Sequence, residues 1–355
     1  MPKSSRKPLL YILHSSNLHG TERVALDTAQ GLADEFETIL FGPPGPAMEE
    51  AERLGFRAVR FSGARQFAKM LRPFMARYES FTYVATGVMH SAVCLALNVL
   101  YRRQILHYQI VHGGSTDQHS YAKKKYLNHT GVRFITVSEW TKQKMISFGA
   151  RADLIEVVPN SILPDRIASF PRRPAFDRPG VRNAIVVCRL DPMKRVDTLL
   201  DAMDRGPAEL REISFTVLGT GSEMDALKAR AAKSHPNVQF PGYSSEVARK
   251  MAEADLLVHT CPVEPFGLVI LEAMAADLPV LVADAAGPGE IVEEGVSGFK
   301  FRAGDADDLA KRLVELREAP ATVLNHVTAG GRARVEETYS AGKMIERYRS
   351  LFSRP

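Results

Sequence analysis

The chain has 355 residues, of which 45% are hydrophobic and 25% charged, as in an ordinary globular protein that is too long for one hydrophobic core. Its cysteines, Cys94, Cys188 and Cys261, are far apart and form no metal-binding spacing, which excludes a disulfide framework and favours a reducing, cytoplasmic location. The first apolar run is too short for a signal peptide, and no run could span a bilayer.

The net charge of +5 is unevenly distributed. Residues 1–165 carry 20 Lys and Arg against 14 Asp and Glu, whereas the remainder carries 26 against 27. Between Arg53 and Thr116 the only acidic residue is Glu79. This asymmetry indicates either an anionic partner for the first half or a solvated basic face.

Short apolar runs alternate with helical patterns along the whole chain. The predicted strands of the first half are PLLYILHSS, ETILFGP, YVATGV, QIVHGG and RFITVS, with GTERVALDTAQGLADE as the first helix. After the stretch FPRRPAFDRPGVR, further strands are predicted at NAIVVCRL, ISFTVLG, VQFPG, ADLLVHT, PVLVAD and GFKF. The alternation predicts two doubly wound, Rossmann-like α/β domains, residues 1–165 and 181–339, joined by a linker at 166–180. We expect the ligand in a cleft that the two sheets share.

The stretch EPFGLVILEAMAA, residues 264–276, begins in a loop because Pro265 disfavours a helical conformation for Glu264. A helix should start near Phe266 or Gly267, with its first N–H groups around Leu268 and Val269 available to a phosphate. The two acids, Glu264 and Glu272, would repel that phosphate. Their presence is explained if they accept hydrogen bonds from hydroxyl groups, one acid from a sugar and the other from a ribose.

This stretch, with the trailing GPGEIVEEGVSGF, resembles the E-x7-E signature of the retaining glycosyltransferases of family four, which have the GT-B fold. The resemblance implies that Glu264 contacts the donor sugar, that Glu272 contacts the nucleotide ribose, and that sugar is transferred from a nucleotide diphosphate with retention. The segment CRLDPMKR resembles the family segment whose Arg and Lys bind the donor diphosphate, here Arg189 and Lys194. The implied donor is a UDP- or GDP-sugar.

Other segments carry weaker resemblances. The turn VLGTGSE places Gly219 and Gly221 near the nucleotide, although a lone G-x-G is also found in dinucleotide-binding proteins. The loop NLHGTER resembles a glycine loop that approaches the donor, through Gly20. QIVHGG resembles a strand that ends in a histidine near the donor sugar, His112. The last helix, about residues 340–355, resembles the family helix that completes the first domain.

Three alternatives remain open for the function. They are a non-hydrolysing nucleotide-sugar epimerase of the same fold, an inactive nucleotide-sugar-binding module and a nicotinamide dehydrogenase, which the broken glycine pattern disfavours. The triplet beginning at Asp305 resembles a metal-binding D-x-D, but its position at a helix start predicts an N-cap. We therefore expect no metal, no cofactor and no nucleic-acid partner.

The expected acceptor is a glycan or a lipid-linked glycan, as in polysaccharide, lipopolysaccharide or glycolipid synthesis. The segment FAKMLRPFMARY, residues 67–78, places its apolar side chains on one helical face, with Lys69, Arg72 and Arg77 off it. A basic amphipathic helix of this kind can lie on an anionic membrane, which predicts peripheral contact at the inner membrane face through residues 53–78. The alternative is that the apolar face packs on the sheet.

Overall fold

The computed structural model describes residues 6–113 and 121–353. The chain divides into two compact units. Unit 1 comprises Met1–Asn160 with Gly342–Pro355, and unit 2 comprises Ser161–Ala341. The sequence placed the first boundary near residue 165, and parts of its first domain, residues 1–5 and 114–120, lie outside the described residues.

In the described part of unit 1, seven parallel strands form a sheet in the order β3-β2-β1-β4-β5-β6-β7. The strands are β1 (Lys7–Ile12), β2 (Phe36–Gly42), β3 (Arg57–Arg60), β4 (Ser80–Ala85), β5 (Gln104–Val111), β6 (Arg133–Thr136) and β7 (Ile155–Val157). The helices between them are α1 (Gly20–Gly31), α2 (Pro46–Arg53), α3 (Gly63–Arg77), α4 (Val88–Tyr101) and α5 (Glu139–Ser147). The strand order reverses between β1 and β4, as in a doubly wound sheet.

In unit 2, six parallel strands among the described residues follow the order β10-β9-β8-β11-β12-β13. These strands are β8 (Asn183–Val187), β9 (Ser214–Leu218), β10 (Val238–Gly242), β11 (Leu256–His259), β12 (Val280–Ala283) and β13 (Phe299–Phe301). The helices are α6 (Pro164–Ala168), α7 (Asp197–Arg205), α8 (Met224–Ser234), α9 (Val247–Glu253), α10 (Leu268–Ala275), α11 (Ala286–Ile291), α12 (Ala306–Glu318) and α13 (Ala321–Ala333). Here the order reverses between β8 and β11.

Both sheets are covered on both faces, which explains why their strands read as nearly continuous apolar runs. In β1 the residues from Leu9 to Ile12 are fully buried. The last helix, α14 (Ala341–Phe352), packs on unit 1. The ring of Phe352 lies edge-on to Phe36 at 6.2 Å, and the hydroxyl of Tyr108 donates to the carbonyl of Leu351 at 2.7 Å. The chain therefore returns to unit 1 through α14.

The predicted linker, residues 166–180, is not a free connection but part of unit 2. Arg173 pairs with Asp255 at 2.8 Å, and its guanidinium lies 3.4 Å from the centre of the Phe176 ring. The backbone N–H of Phe176 donates to Asn325 at 2.8 Å. These contacts fix the segment on the unit because Arg173 and Phe176 bind partners far away in the sequence.

The basic helical segment packs on the sheet of unit 1. Helix α3 begins at Gly63, four residues before the predicted start, and continues through Pro73. Its buried face, Phe67, Leu71, Phe74 and Met75, joins the core around Phe41. The packing alternative is therefore confirmed, and this apolar face is not available to a bilayer. Among the described residues, no helix combines the length and apolar character needed to cross a membrane.

The Asp305 triplet forms the start of a helix. The side chain of Asp305 accepts a hydrogen bond from the backbone N–H of Asp308 at 2.9 Å and caps α12, as predicted. Across residues 6–113 and 121–353, no group of three or more His, Cys, Asp or Glu side chains is arranged to hold a metal ion.

Candidate active site

The loop between β11 and α10 carries Glu264 at the point where the strand order of unit 2 reverses. Helix α10 begins at Leu268, with Gly267 as its N-cap at φ 101°. A side chain is strained in this left-handed conformation, and a Cβ here would lie 2.9 Å from Cδ1 of Ile270. The predicted helix start is therefore correct to within a residue, and Gly267 is required by the backbone itself.

The first turn of α10 is held in place by apolar contacts of the loop before it. Phe266 is buried, and its ring meets that of Tyr339 edge-on at 5.8 Å. Gly287, in the trailing motif, donates its N–H to the carbonyl of Glu264 at 2.9 Å. The backbone N–H groups of Leu268 and Val269 belong to the helix start, where the dipole favours an anion.

Lys194 and Glu264 form an ion pair at the point where the strand order of the unit 2 sheet reverses, between β8 and β11. Lys194 ends the 3-10 turn Pro192–Lys194 that follows β8, and its Nζ contacts Oε2 of Glu264. Each side chain is 16% exposed. The neighbouring strands β8 and β11 bring the two loops together at their carboxyl ends, which is the usual position for ligand sites in such sheets.

The charges of this pair stabilise each other. Burial alone would raise the pKa of Glu264, but Lys194 and then His259 lower it to about 2. Burial would lower the pKa of Lys194, yet the carboxylate of Glu264 raises it above its usual value. The Nε2 atom of His259 lies 3.6 Å from Oε2 of Glu264. At neutral pH the site therefore presents a fixed carboxylate and a fixed ammonium.

Arg189 is not in the Lys194–Glu264 pair. Its side chain is 53% exposed and pairs with Asp191 at 2.8 Å. Both residues follow β8, on the same loop as Lys194. An exposed guanidinium at a strand end is available to an incoming anion at the cost of one surface ion pair, which contributes little to stability.

Glu272 lies one turn further along α10 and is paired with Arg166 of α6. The side chains are 15% and 23% exposed, respectively. Arg166 belongs to the segment that was predicted to be a linker. Its guanidinium fixes the direction of the Glu272 carboxylate, because planar N–H donors hold a carboxylate in a defined orientation.

Gly219 and Gly221 pack against the loop after β8. A Cβ at Gly219, where φ is 136°, would lie 1.8 Å from the carbonyl oxygen of Cys188. A Cβ at Gly221 would lie 2.4 Å from the carbonyl oxygen of Leu190. Close packing of the two loops is thus one physical reason for both glycines. Their predicted contact with the donor remains a prediction.

The other two predicted residues lie in unit 1. Gly20 is the first residue of α1, and the helix is stabilised by the backbone N–H of His19 donating to Glu22 at 3.0 Å. His112 directly follows β5. Burial, and then His14, lowers the pKa of His112 to about 3, so the ring is neutral at physiological pH. It can serve as a hydrogen-bonding group and not as a cation.

Two site residues, His259 and Arg166, were missed from the sequence. His259 is a polar residue at the end of the apolar run ADLLVH, which was the available signal. Arg166 had no signal, since its partner is 106 positions away.

Two family models match the chain. Residues 18–166 match Glycosyltransferase Family 4, and residues 174–331 match Glycosyl transferases group 1. Among curated proteins, a phosphatidyl-myo-inositol mannosyltransferase of Mycobacterium leprae is 28% identical over 56% of this chain and 53% of its own length. A poly(ribitol-phosphate) alpha-N-acetylglucosaminyltransferase of Staphylococcus aureus is 27% identical over 47% of this chain and 34% of its own. The chain thus spans about half the length of such relatives, or less.

Two solved structures superpose on nearly the whole chain. HepE of Anabaena, in complex with UDP and glucose, superposes with a TM-score of 0.81 at 20% identity, covering 99% of this chain and 100% of HepE. A glycosyltransferase from Rickettsia africae has the same TM-score at 16% identity, covering 98% of each chain. The two family models together take in most of the chain, and the solved structures share its fold. Both halves of the chain therefore match glycosyltransferase family models, and the chain has the GT-B fold.

Proposed function

We propose that this protein is a retaining glycosyltransferase that moves a sugar from a UDP- or GDP-sugar to a hydroxyl of a glycan or lipid-linked acceptor. The observation that carries the proposal is the Lys194–Glu264 pair at the strand reversal of unit 2, with Glu272 further along the same helix. The solved complexes of HepE hold UDP and UDP-glucose, which supports a uridine nucleotide as the donor.

In the proposed complex the donor diphosphate lies at the N-terminus of α10, where backbone N–H groups and the helix dipole favour negative charge. Glu272 accepts hydrogen bonds from the ribose, and Glu264 accepts hydrogen bonds from the sugar. Gly20, His112, Gly219 and Gly221 are further proposed contacts of the donor.

In the transfer step, the bond between the anomeric carbon and the diphosphate oxygen breaks, and a bond from the same carbon to the acceptor oxygen forms. The acceptor proton is taken up by the departing diphosphate. Negative charge grows on that diphosphate in the transition state, and Arg189 and Lys194 stabilise it there. Because Lys194 already contacts Glu264, the same ammonium can link the sugar-binding carboxylate to the leaving group.

The two cations take the place that a metal ion occupies in other transferases, so the proposed reaction needs neither metal nor cofactor. We expect chelation by EDTA to leave transfer unchanged. A loss of activity that Mg²⁺ or Mn²⁺ restores would contradict this part of the proposal.

The experiment that tests the function separates the two acids. Glu264→Gln should abolish most transfer while leaving UDP affinity, measured by titration calorimetry, nearly unchanged. Glu272→Gln should weaken UDP binding by about tenfold, since a charge-assisted hydrogen bond contributes about 1.5–3 kcal/mol. The reverse pattern would refute the assigned roles. An isomerised sugar formed from the donor alone would identify an epimerase, and UDP-sugar binding without transfer to any acceptor would identify a binding module.

We also propose that the exposed basic side chains of residues 53–78 contact anionic lipid, at the inner face of the membrane, without insertion of α3. Each cation near such a surface contributes about 1 kcal/mol, and the attraction weakens with salt. Lys69, Arg72 and Arg77 are exposed, so their replacement by Gln should leave the fold intact. Co-sedimentation with phosphatidylglycerol vesicles should fall in that triple variant. No binding of the wild type at low salt would reject the contact.

A further inference from the structure

A pocket of about 540 Å³ opens at the carboxyl edge of the sheet in unit 1. Its wall is built by the residues that follow β1, β4 and β5 and by the 3-10 turn Lys123–Leu127. The polar side chains that line it are His14, Thr86, His90, His112, Lys123 and Lys124. The order of the strands reverses between β1 and β4, and a ligand crevice is expected at such a reversal.

The N-terminus of α4 forms one side of the pocket. Gly87 is the N-cap residue of this 14-residue helix, and Gly87, Val88 and Met89 all line the cavity. Gly87 has no side chain with which to cap the first N–H groups of the helix. The positive end of the helix dipole therefore faces a cavity large enough for a small-molecule ligand that carries an anionic group.

Lys124 adds a buried cation to the same wall. Lys124 is 4% exposed, and burial lowers the pKa of its ammonium to about 8. The Lys124 ammonium also lies 5.5 Å from the centre of the Tyr121 ring, and its positive charge attracts an anion brought into the same cavity. Lys123 lines the pocket too, whereas Lys125, one position further on, does not belong to its lining and is exposed.

His90 is an independent indication of a ligand. His90 is 3% exposed, and its Nδ1 atom is buried with no hydrogen-bond partner among the described residues. Its ring is wedged against Phe61 and Phe67, at centroid distances of 5.4 and 5.1 Å. A buried polar atom without a partner costs about 1–3 kcal/mol, which an oxygen of a bound ligand would recover. His14 reaches the same wall and holds Thr86, with its Nδ1 atom 2.8 Å from the threonine hydroxyl.

We propose that this pocket binds a phosphate group of the acceptor, held by Lys124, the N-terminus of α4, His14 and His90. The proposal rests on the proposed transferase function, since it names the chemical class of the acceptor: a hydroxyl compound that carries a phosphate ester. The phosphate group enters either with a soluble phosphoester or with the headgroup of a phospholipid. Both share the anionic tetrahedral group that the cavity recognises.

The test measures binding of glycerol 3-phosphate by titration calorimetry, with glycerol as the neutral control. We expect millimolar or tighter binding of the phosphoester by the wild type and none of glycerol. Lys124→Gln should weaken the phosphoester at least tenfold, whereas the matched control Lys125→Gln should not. Binding of UDP, measured on the same samples, should be unchanged in both variants. Micelles of short-chain phosphatidylglycerol form the second arm, and tighter binding of these than of glycerol 3-phosphate assigns the lipid source.

The outcomes test the phosphate pocket and the transferase proposal separately. If the wild type binds UDP but neither phosphate probe, or if Lys124→Gln and Lys125→Gln behave alike, the phosphate pocket is refuted and the transferase proposal stands. If the probes bind in a Lys124-dependent way but UDP does not bind, the transferase proposal fails and the pocket remains. If Lys124→Gln lowers the melting temperature, His14→Gln decides, because His14 is exposed at the pocket wall. It should weaken glycerol 3-phosphate severalfold, and unchanged affinity would overturn the proposal.

Discussion

Replacing Lys194 by Met should destabilise unit 2, because it leaves the Glu264 carboxylate buried without its main counter-charge. A lowering of the pKa of Glu264 from 4.5 to about 2 corresponds to about 3 kcal/mol of stabilisation at neutral pH. Part of this comes from His259, so we expect the Lys194→Met change to cost about 2–3 kcal/mol. Breaking a buried ion pair from one side has a cost of this order.

The matched variants isolate the pair. Removing both charges, as in Lys194→Met with Glu264→Gln, should recover most of the loss, because no uncompensated charge remains. Lys311→Met is the control. Its side chain is 71% exposed and lies 3.9 Å from Glu315, so the change should cost less than about 0.5 kcal/mol.

Amide hydrogen exchange followed by mass spectrometry suits this measurement. The single tryptophan, Trp140, lies in unit 1, so its fluorescence reports on the wrong unit. In peptides that cover β11 and α10, a decrease of about 2–3 kcal/mol in the free energy of unfolding increases the rate of amide hydrogen exchange by roughly 30- to 150-fold. Protection in Lys194→Met equal to that in Lys311→Met would refute the reasoning. So would strictly additive effects of the Lys194 and Glu264 changes.

Three further predictions concern the same loops. Arg189→Ala should remove about 2–4 kcal/mol of transition-state stabilisation, measured as a decrease in kcat/KM. Turnover should fall more than UDP affinity. Near-normal steady-state kinetics would contradict the role of Arg189. The pKa of Glu264 is lowered, so the difference in exchange protection between the wild type and Glu264→Gln should be constant above about pH 4.5 and shrink as the pH falls toward 2. A difference that grew with acidity would be incompatible with this. Gly267→Ala should cost about 1–2 kcal/mol from its positive φ and more from its contact with Ile270, and an unchanged melting temperature would show that the loop adapts.

The alternation of apolar and amphipathic segments was sufficient to predict two doubly wound units, because strand and helix periods differ strongly in parallel α/β folds. The loop with Glu264 and the start of α10 were also predictable, since Pro265 and Gly267 restrict the backbone locally. The apolar face of α3 was read correctly, but its start was missed because the residues at Gly63–Gln66 carry no apolar pattern.

The contacts that complete the site were not predictable from one sequence. Arg166 reaches Glu272, and Arg173 reaches Asp255, over separations of 106 and 82 residues. A Pro- and Arg-rich composition indicates a solvated linker unless the distant partners are known. His259 was masked by the apolar strand that it ends. In each case the decisive information is tertiary, since charge in a sequence does not specify which opposite charge it meets.

The return of helix α14 to unit 1 makes unit 2 an insertion within the sequence of unit 1, and this has a consequence during synthesis. Unit 2 is continuous, from Ser161 to Ala341, so all of its strands are available as soon as its last residues leave the ribosome. Unit 1 must wait longer, because Tyr108 and Thr82 donate hydrogen bonds to the carbonyls of Leu351 and Phe352, which follow all of unit 2 in the sequence. The nascent sheet of unit 1 therefore lacks part of its apolar cover, the part that α14 supplies, while unit 2 is being made. Exposed apolar surface of this kind makes a folding chain prone to aggregation during that interval.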